Sequence, residues 1–515
     1  MSEARQRNIS AFLDHQVEQG RDDHTAVICG DERVTYGGLL ARACRAAAAL
    51  CDIGIHREER ILLLLDDTPA FPAIFLGAIR IGAVPVPVNP LYKPSDFRYF
   101  LEDSYARVVV ADATFAEKAA EALESRSRGA GLEGVRVYEP SDLMGDGDVG
   151  ADGPAVMPVA ATHEDDMAFW LYSSGSTGRP KGVVHRQADA AAICETYGAS
   201  VLGLSEVDIT YSTTKLYHAY GIGNGLFFPY WAGSTTVLTP GRPSPDAIFA
   251  AVETHQPTAF FSVPTLYNAL VRAEGAKERD FSSVRICLSA AEPLPPEVFR
   301  RFEQTWGLPI LDGIGSTEML HIYCSNTGEA RKPGSSGRPV PGYELMIRGD
   351  DGQPAPPGEV GELLVKGDSA LSFYWHHRDR TRRTLVGEYF ATGDRYRCDD
   401  DGFYWYEGRA DDMIKVGGLW VSPIEIENVL MEHPSVQEAG VVGVDVEGFM
   451  KIRAHVIPVP GFDPVGEGEA LTSELQEMCK TRLQRYQYPH IVRFEEDLPK
   501  TMTGKIQRYL LRGRE

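Results

Sequence analysis

The segment that most constrains the fold of this chain is RILLLLDDTPAFPAIFLGAIRIGAVPVPVNP, residues 60–90. Residues 60–67 are a short apolar run that ends in two acids, a pattern typical of a buried strand. Residues 68–82 carry apolar side chains at helical spacing, and residues 83–90 are predicted to be extended because their prolines exclude a helix. Strand, helix and strand in this order predict a parallel α/β unit.

The same alternation returns at residues 107–113 and 258–273, so the α/β pattern extends through much of the chain. A chain of 515 residues is too long for one core, since about 100–200 residues per domain is usual. Residues 126–165 are rich in glycine, aspartate and proline, and we interpret them as a surface excursion rather than a domain boundary.

A second unit is predicted after a boundary in residues 406–423. Ser422 has the position of a helix N-cap, Pro423 follows at the first helical position, and Pro434 lies past the predicted end. Two strand-like runs and an amphipathic helix follow and make a compact unit of about a hundred residues. The sequence therefore predicts a large α/β domain followed by a small α+β domain.

The amino-acid composition limits the kinds of molecule and the cell compartment that we expect for this protein. The 51 basic and 73 acidic residues give a net charge of −22, which argues against nucleic acid but not against a nucleotide in a locally positive site. The eight cysteines are scattered, as in proteins with reduced thiols. No signal peptide is recognisable, and no apolar run approaches the roughly 20 residues that span a bilayer. We therefore expect a soluble, cytoplasmic protein with no membrane partner.

A loop rich in hydroxyls and glycines, SSGSTGRPKG, occupies residues 173–182. Successive backbone N–H groups and hydroxyls form a concavity that suits an anion, and Lys181 adds a point charge. The spacing is not that of a Walker A loop. The segment could also be an ordinary Gly/Ser surface turn. We expect instead a loop that binds a phosphate.

Further motifs follow this loop in order. LDGIGSTEM places Glu318 after a Ser-Thr pair, which on its own is also typical of a helix cap. YFATGDRYRCDDDGFYWYEGR contains Asp394, whose carboxylate suits either ribose hydroxyls or a turn. LPKTMTGKIQR places Lys505 near the C-terminus, where a lysine is usually solvated. The segments SAAEPLP and GRADDMIK complete the series.

Together these motifs resemble those of the adenylate-forming superfamily, which comprises acyl-CoA synthetases, luciferases and adenylation domains. Three stretches, residues 215–238, 312–326 and 335–345, are most similar to its benzoate–CoA ligase, or aryl-CoA ligase, branch. The resemblance implies a large N-terminal α/β domain with parallel α/β subdomains and a β-barrel-like part, and a small mobile α+β C-terminal domain. It divides the chain into residues 1–408, a hinge at 409–411 centred on Asp411, and residues 412–515.

The resemblance also implies a two-step reaction. A carboxylic acid reacts with ATP to give acyl-AMP and pyrophosphate, and the acyl group then passes to coenzyme A. Mg²⁺ is implied, with Glu318 as its ligand, and the implied catalytic residues are Lys505, His218, Thr177 and Glu318. The residues implied to bind ATP or AMP are Ser173, Ser174, Gly175, Ser176, Thr177, Gly178, Lys181, Ala290, Ala291, Glu292, Asp312, Gly313, Ile314, Gly315, Ser316, Thr317, Asp394 and Arg409. Those implied to bind coenzyme A are Lys415, Gly417, Gly418 and Trp420.

The implied acid is aromatic. The residues implied to line its pocket are Tyr217, His218, Ala219, Tyr220, Gly221, Gly315, His321, Ile322 and Lys505. Where the branch typically has two phenylalanines, this chain has Tyr217 and His218, and where the family usually has glycine it has Ala291. Tyr217 and His218 either read an ortho substituent, which favours salicylate or 2-aminobenzoate, or pack the pocket wall, which favours benzoate itself.

The acceptor is expected to be free coenzyme A, because no carrier-protein or condensation domain is attached. Two alternatives stay open: a stand-alone aryl acid–AMP ligase that loads a carrier protein, and an inactive nucleotide-binding protein. Many members of the superfamily are dimers, which leaves a homodimer open, although no residue pattern marks an interface.

Overall fold

The computed structural model describes residues 6–124, 134–145, 157–173, 179–410, 412–416, 419–446, 449–500 and 506–514. Segment 60–90 forms the predicted strand, helix and strand, with bounds Arg60–Leu64, Ala70–Arg80 and Val84–Pro87. Every residue of the helix except Ala70 is buried, because it is apolar on all sides and lies between other elements. The prediction of a parallel α/β unit is confirmed.

This unit belongs to a four-stranded parallel sheet. Its strands, in order across the sheet, are Val84–Pro87, Arg60–Leu64, Val108–Ala111 and Arg136–Tyr138. The last strand and the helix Pro140–Met144 lie within residues 126–165, so the interpretation of that segment as a surface excursion is wrong for its described residues 134–145. A three-residue strand is too short to give a periodic signal among neighbouring glycines and aspartates.

A nine-stranded sheet forms the second layer of the large domain. It is parallel in its centre and antiparallel at both edges. Its strands, in order across the sheet, are Arg338–Pro339, Ile322–Ser325, Ile310–Gly315, Ile286–Ser289, Ala259–Ser262, Ile209–Ser212, Thr235–Val237, Thr25–Cys29 and Glu32–Thr35. The carboxyl ends of its central strands therefore meet at one edge, where ligands of α/β sheets bind.

Helices cover the sheets of the large domain. Besides those already given, the α-helices described there are Ala11–Glu18, Tyr36–Asp52, Pro94–Ser104, Ala113–Glu124, Gln187–Ile193, Ala219–Ile222, Phe228–Ala232, Pro245–His255, Pro264–Arg272, Pro296–Trp306 and Arg378–Thr384. Two π-helical segments, Cys194–Ala199 and Gly223–Phe227, and two 3₁₀ turns, Ala276–Glu278 and Thr317–Met319, are also present. π-helical segments are frequent at functional sites.

Antiparallel strands complete the large domain. The strand Lys181–Arg186 pairs with Met167–Ser173 on one side and with Phe373–Tyr374 on the other. A five-stranded sheet contains Glu344–Arg348, Gly361–Lys366, Leu385–Val386, Tyr389–Cys398 and Tyr404–Arg409. These pairings bring the strand that follows the predicted phosphate loop next to a segment almost two hundred residues later in the chain.

The C-terminal α+β unit has its own hydrophobic core, which includes Leu430, Val441 and Leu475. Ser422 caps its first helix by accepting a hydrogen bond from the Glu425 amide at 3.4 Å, as predicted. Its elements are the hairpin strands Ile414–Val416 and Leu419–Val421, the helices Pro423–Met431, Pro464–Arg482 and Arg508–Arg512, and the strands Val436–Val446, Phe449–Pro458 and Ile491–Phe494. Across the described parts of the chain, no helix combines the length and apolar character needed to cross a membrane.

Candidate functional site

Glu318 lies in the 3₁₀ turn Thr317–Met319, just beyond the strand Ile310–Gly315. The hydroxyl of Ser316 caps this turn through the Met319 amide at 3.2 Å, so the Glu318 side chain is not needed as a cap. Its Oε1 atom instead accepts hydrogen bonds from Ser173 Oγ at 3.1 Å and from the Tyr374 hydroxyl at 2.9 Å. Because both donors bind one oxygen, the carboxylate is held in a fixed orientation.

Lys181 begins the strand that leaves the predicted phosphate loop, and it is only 5% exposed. Its Nζ atom lies 5.1 Å from the centroid of the Tyr374 ring, within the range of a cation–π contact. Burial and the positive charges of Arg380 and Arg409 lower the pKa of Lys181 to about 8, and Glu318 opposes this effect. Lys181, Glu318 and Arg409 therefore share one electrostatic environment.

A buried histidine joins the two predicted nucleotide motifs. His185 Nε2 lies 2.8 Å from the Thr317 carbonyl oxygen, and Nδ1 lies 2.9 Å from Asp189 Oδ2. The Asp189 carboxylate also accepts from the backbone and the guanidinium of Arg186. A carbonyl and a carboxylate only accept, so both ring nitrogens face acceptors. His185 thereby ties the strand after the loop to the turn that carries Glu318.

Asp394 and Arg409 face each other on neighbouring strands. Arg409 Nη1 donates to Asp394 Oδ1 at 3.0 Å and to the Thr392 carbonyl at 3.2 Å. Gly393 has a φ of +74°, and a Cβ atom there would lie 3.2 Å from the Arg409 guanidinium. The turn therefore uses a glycine to let the arginine approach the predicted ribose-binding carboxylate.

The segment predicted to flank the adenine contains a strained residue. Ala291 has a φ of +76°, a left-handed conformation that costs an L-residue about 1–2 kcal/mol. This explains why glycine is the usual residue at this position in the family that the sequence resembles. Next to it, Glu292 accepts a hydrogen bond from Thr265 at 2.9 Å, and the pKa of the buried Asp312 is raised well above its usual range by burial.

Aromatic rings surround His321, which is 2% exposed. Its Nε2 atom lies 3.1 Å from Asn224 Oδ1, and its ring centroid lies 5.4 Å from that of Tyr220. Burial lowers the pKa of His321 to about 3, so the ring is neutral at physiological pH. A Cβ atom on Gly223 would lie 2.3 Å from His321 Cδ2, and one on Gly315 would lie 2.6 Å from the His321 carbonyl oxygen. A side chain at either position would collide with His321, so the placement of His321 requires both glycines.

Tyr217 and His218 precede the helix Ala219–Ile222, and their ring centroids lie 4.7 Å apart. The pKa of Tyr217 is raised by burial and by the negative charges of Asp67 and Asp66. Its hydroxyl end therefore lies in the field of an acidic pair that Lys215 neutralises, with Nζ 3.3 Å from Asp66 and 3.9 Å from Asp67.

Several predicted residues are not tested by this geometry. Lys415 and Trp420 lie on the C-terminal hairpin, where the lysine Nζ is 5.2 Å from the indole centroid and Trp420 is 52% exposed. The predicted residues that lie outside the described residues are Ser174, Gly175, Ser176, Thr177, Gly178, Asp411, Gly417, Gly418 and Lys505. Their roles stay predictions.

Three contacts of the site were missed by sequence reasoning. Tyr374 and Asn224 give no local signal, since neither lies in a recognised pattern with the residue it contacts. His185 and Asp189 are four residues apart across the end of a strand, a spacing that could have been noticed.

Comparisons with known proteins show which enzymes the sequence and the fold are similar to. A benzoate–CoA ligase of Thauera aromatica is 42% identical over 505 residues, which are 96% of this chain and 93% of that protein. The crystal structure of a benzoate CoA ligase from Burkholderia xenovorans has 43% identity and a TM-score of 0.89, covering 98% of this chain and 99% of that one. An anthranilate CoA ligase in complex with anthranoyl-AMP has 36% identity and a TM-score of 0.92, covering 98% and 97%.

Two family models match separate parts of the sequence. The first, described as AMP-binding enzyme, covers residues 13–375, and the second, the C-terminal domain of AMP-binding enzymes, covers residues 425–505. The large α/β domain and the small C-terminal domain correspond to these two matches. The chain therefore belongs to the AMP-binding enzyme family.

Proposed function

We propose that the chain is an ATP-dependent aryl acid–CoA ligase that activates benzoate or a substituted benzoate as acyl-AMP and transfers it to coenzyme A. One observation carries the proposal: Glu318 lies in the turn Thr317–Met319, and His321 follows two residues after the end of that turn. The Glu318 carboxylate lies in the electrostatic environment of Lys181, whereas His321 lies among aromatic rings. This short segment thus joins a proposed phosphate-handling group to aromatic side chains suited to a ring, as a reaction between ATP and an aromatic acid requires.

In the first half-reaction, an oxygen of the substrate carboxylate attacks the α-phosphorus of ATP, and the bond to pyrophosphate breaks. Negative charge on the phosphoryl oxygens has to be stabilised by fixed cations and donors. In this proposal Lys181, Thr317 and the loop from Ser173 hold phosphates, Asp394 binds the ribose, and Lys505 bridges the carboxylate and the α-phosphate. His185 fixes the Thr317 carbonyl and so the turn that carries Glu318.

The donor set at Glu318 fits Mg²⁺. Magnesium is usually held by one or two carboxylates together with substrate phosphates, rather than by a complete protein cage. Among the described residues, no group of three or more His, Cys, Asp or Glu side chains could hold a metal ion, and Glu318 supplies a single oriented carboxylate. When bound, the ion would neutralise phosphate charge, and Glu318 is the residue that would hold it.

The second half-reaction uses the same site. In the proposal the C-terminal domain, residues 412–515, rotates about Asp411, which removes Lys505 and brings the hairpin with Gly417, Gly418 and Trp420 to the site. The thiol of coenzyme A then attacks the carbonyl carbon of the acyl-AMP, and AMP leaves. Lys415, on the same hairpin, would contact the coenzyme.

The pocket favours an uncharged aromatic ring. His321 is neutral, and the rings of Tyr197, Tyr220 and Phe228 lie around it. Gly223 and Gly315 leave room for His321 itself. Because Tyr217 lies towards the acidic pair Asp66 and Asp67, His218 is the better candidate to contact an ortho hydroxyl or amine. We propose salicylate as the favoured acid, with 2-aminobenzoate and benzoate as the alternatives.

A substrate panel tests this proposal. Purified protein is given ATP, Mg²⁺ and one of benzoate, salicylate, 2-aminobenzoate, 4-hydroxybenzoate or hexanoate, and AMP and aryl-CoA are measured with and without coenzyme A. We expect aryl-CoA from the benzoates and about a tenfold loss of kcat/KM on the ortho-substituted acids in His218→Phe, the size of a lost hydrogen bond. Tyr217→Phe is the matched control and should keep the preference.

Other outcomes of the panel point elsewhere. An unchanged substrate preference in His218→Phe would mean that the rings of Tyr217 and His218 only pack the pocket wall. Acyl-AMP without any CoA thioester would move the acceptor to a carrier protein. Absence of pyrophosphate release with every acid would contradict the proposed ligase activity.

The pH dependence of ATP binding follows from Lys181. Its pKa is lowered to about 8, so its charge is present below that pH and is lost above it. We expect KM for ATP to rise about tenfold per pH unit above this value, since one unit of pKa corresponds to a tenfold change in equilibrium. Lys181→Arg, which keeps its charge, should flatten this alkaline rise. A wild-type KM that is constant to pH 10 would contradict the role given to Lys181.

A further inference from the structure

Arg380 lies on the helix Arg378–Thr384, which follows directly on the strand Phe373–Tyr374. That strand pairs with the strand of Lys181, with Tyr374 opposite Val183. The helix carries four arginines, of which Arg378, Arg382 and Arg383 are exposed, whereas Arg380 is half-buried. Sheet pairing thus places this helix next to the strand that follows the predicted phosphate loop.

Two cations meet over one aromatic ring. The Cζ atom of Arg380 lies 5.5 Å from the centroid of Tyr374, and Nζ of Lys181 lies 5.1 Å from the same centroid. The hydroxyl of that tyrosine donates to Glu318 at 2.9 Å. Arg380 is therefore held at the site by the same ring that orients the proposed magnesium ligand.

The local charge is not balanced. Within the part of the chain that the structure describes, Arg380 forms no ion pair, and its solvent-shielded Nε has no hydrogen-bond acceptor. Glu318 raises the pKa of Lys181 and so partly offsets the neighbouring positive charges, and Arg409 pairs with Asp394 at 3.0 Å. The positive charges of Arg380 and Arg409 depress the pKa of Lys181. Half-buried cations that repel each other are costly unless an anion joins them.

The protein as a whole carries a net charge of −22, so a surplus of cations at this one place is a local feature. A guanidinium matches phosphate oxygens in a bidentate geometry, and its fork is always charged. A monovalent carboxylate would neutralise only one of the two cations, whereas a polyphosphate chain can contact both.

We propose that Arg380 binds the terminal phosphates of ATP, and afterwards the pyrophosphate product, together with Lys181. This inference rests on the proposed ATP-dependent function and adds a phosphate ligand that lies outside the sequence motifs. Tyr374 acts as the platform that holds both cations at a fixed separation.

Binding measurements separate this role from a structural one. Isothermal titration of Arg380→Gln with ATP and Mg²⁺, without acid or coenzyme A, is expected to show an affinity about 10- to 100-fold weaker than wild type, because a charge-assisted hydrogen bond is lost. The affinity for AMP, which lacks the terminal phosphates, should change less than about twofold. Inhibition by pyrophosphate should weaken in parallel with ATP binding.

The matched control is Arg382→Gln, which removes an exposed charge from the same helix. It should bind ATP as wild type does, and Arg380→Lys should recover part of the affinity. The alkaline rise of KM for ATP should move to higher pH in Arg380→Gln, since Lys181 loses a repelling neighbour while Glu318, Tyr374 and Arg409 still face it. That shift reports the proximity of the two charges, whereas the contrast between ATP and AMP affinity reports phosphate binding.

The outcomes are distinguishable. Equal ATP affinity in Arg380→Gln and wild type would overturn the role of Arg380 while leaving the proposed function intact. Equal losses for ATP and AMP would overturn it too, by making Arg380 a packing residue. A wild-type protein that binds neither nucleotide would instead contradict the proposed function itself.

Discussion

Replacing Lys505 by alanine is expected to reduce acyl-AMP formation by about 10²–10³-fold, the usual effect of losing a group that stabilises charge in the transition state. The same variant should still form aryl-CoA from supplied acyl-AMP at close to the wild-type rate, because in the proposed mechanism the thiol attack does not use this lysine. The measurement is pyrophosphate release for the first half-reaction and aryl-CoA formation from synthetic acyl-AMP for the second.

Lys500→Ala is the matched control for that experiment. Lys500 lies in the same motif, and its Nζ is paired with Glu438 at 2.7 Å within the C-terminal unit. Its loss should leave both half-reactions nearly unchanged. If Lys505→Ala lowered the two half-reactions equally, the assignment of separate conformations to them would be wrong.

The second large effect is expected from Arg508, which lies three residues after Lys505. Its Nη2 atom lies 2.8 Å from both carboxylate oxygens of Glu427, and the two side chains are 12% and 11% exposed. Glu427 also accepts from the Val441 amide at 2.7 Å. Burial raises the pKa of Glu427, and Arg508 opposes this effect. The pair anchors the segment that follows Lys505 to the first C-terminal helix.

Arg508→Met should lower the free energy of unfolding of the C-terminal unit by about 3–5 kcal/mol, because it leaves a buried carboxylate without its ion-pair partner. Arg512→Met removes a 39% exposed arginine that pairs with Asp412 at 2.9 Å, and it should cost no more than about 1 kcal/mol. Urea unfolding of the full chain measures both variants. The double variant Arg508→Met with Glu427→Leu should recover much of the loss.

Equal destabilisation by Arg508→Met and Arg512→Met would show that burial does not decide the strength of these pairs. If instead the prediction holds, the variant should also slow acyl-AMP formation, because the anchor of the segment next to Lys505 is lost. Aryl-CoA formation from supplied acyl-AMP provides the reference that separates this effect from general unfolding.

Local signals in the sequence predicted local structure well. The helix that starts at Pro423 begins where the Ser-Pro pair predicts, because capping and the missing proline amide act within one turn. The strand, helix and strand of residues 60–90 were equally clear, since burial on all sides leaves continuous apolar runs. The strand Arg136–Tyr138 was missed because its pairing with Val108–Ala111 is decided by the sheet and not by its own composition.

The residues of the candidate site also differ in whether a local sequence motif predicts them. Ser173, Lys181, Glu318, Asp394 and Arg409 could be predicted because each lies in a motif whose residues are close in sequence. Tyr374 and Arg380 could not, because their positions depend on the pairing of Phe373–Tyr374 with Lys181–Arg186. The contact of His185 with Thr317 could not be predicted either, since the two residues are 132 positions apart in the sequence.

By itself, then, the sequence determined the α/β architecture, the small C-terminal unit and the residue types available to bind a nucleotide and an aromatic acid. Hydrophobic periodicity, capping and motif spacing act over a few residues and are written directly in the order of side chains. Only the tertiary structure decided that Glu318 is oriented by Ser173 and Tyr374, that His321 is neutral, and that Arg380 joins Lys181. These properties depend on burial and on contacts between distant strands, and burial and long-range electrostatics exist only once the chain has folded.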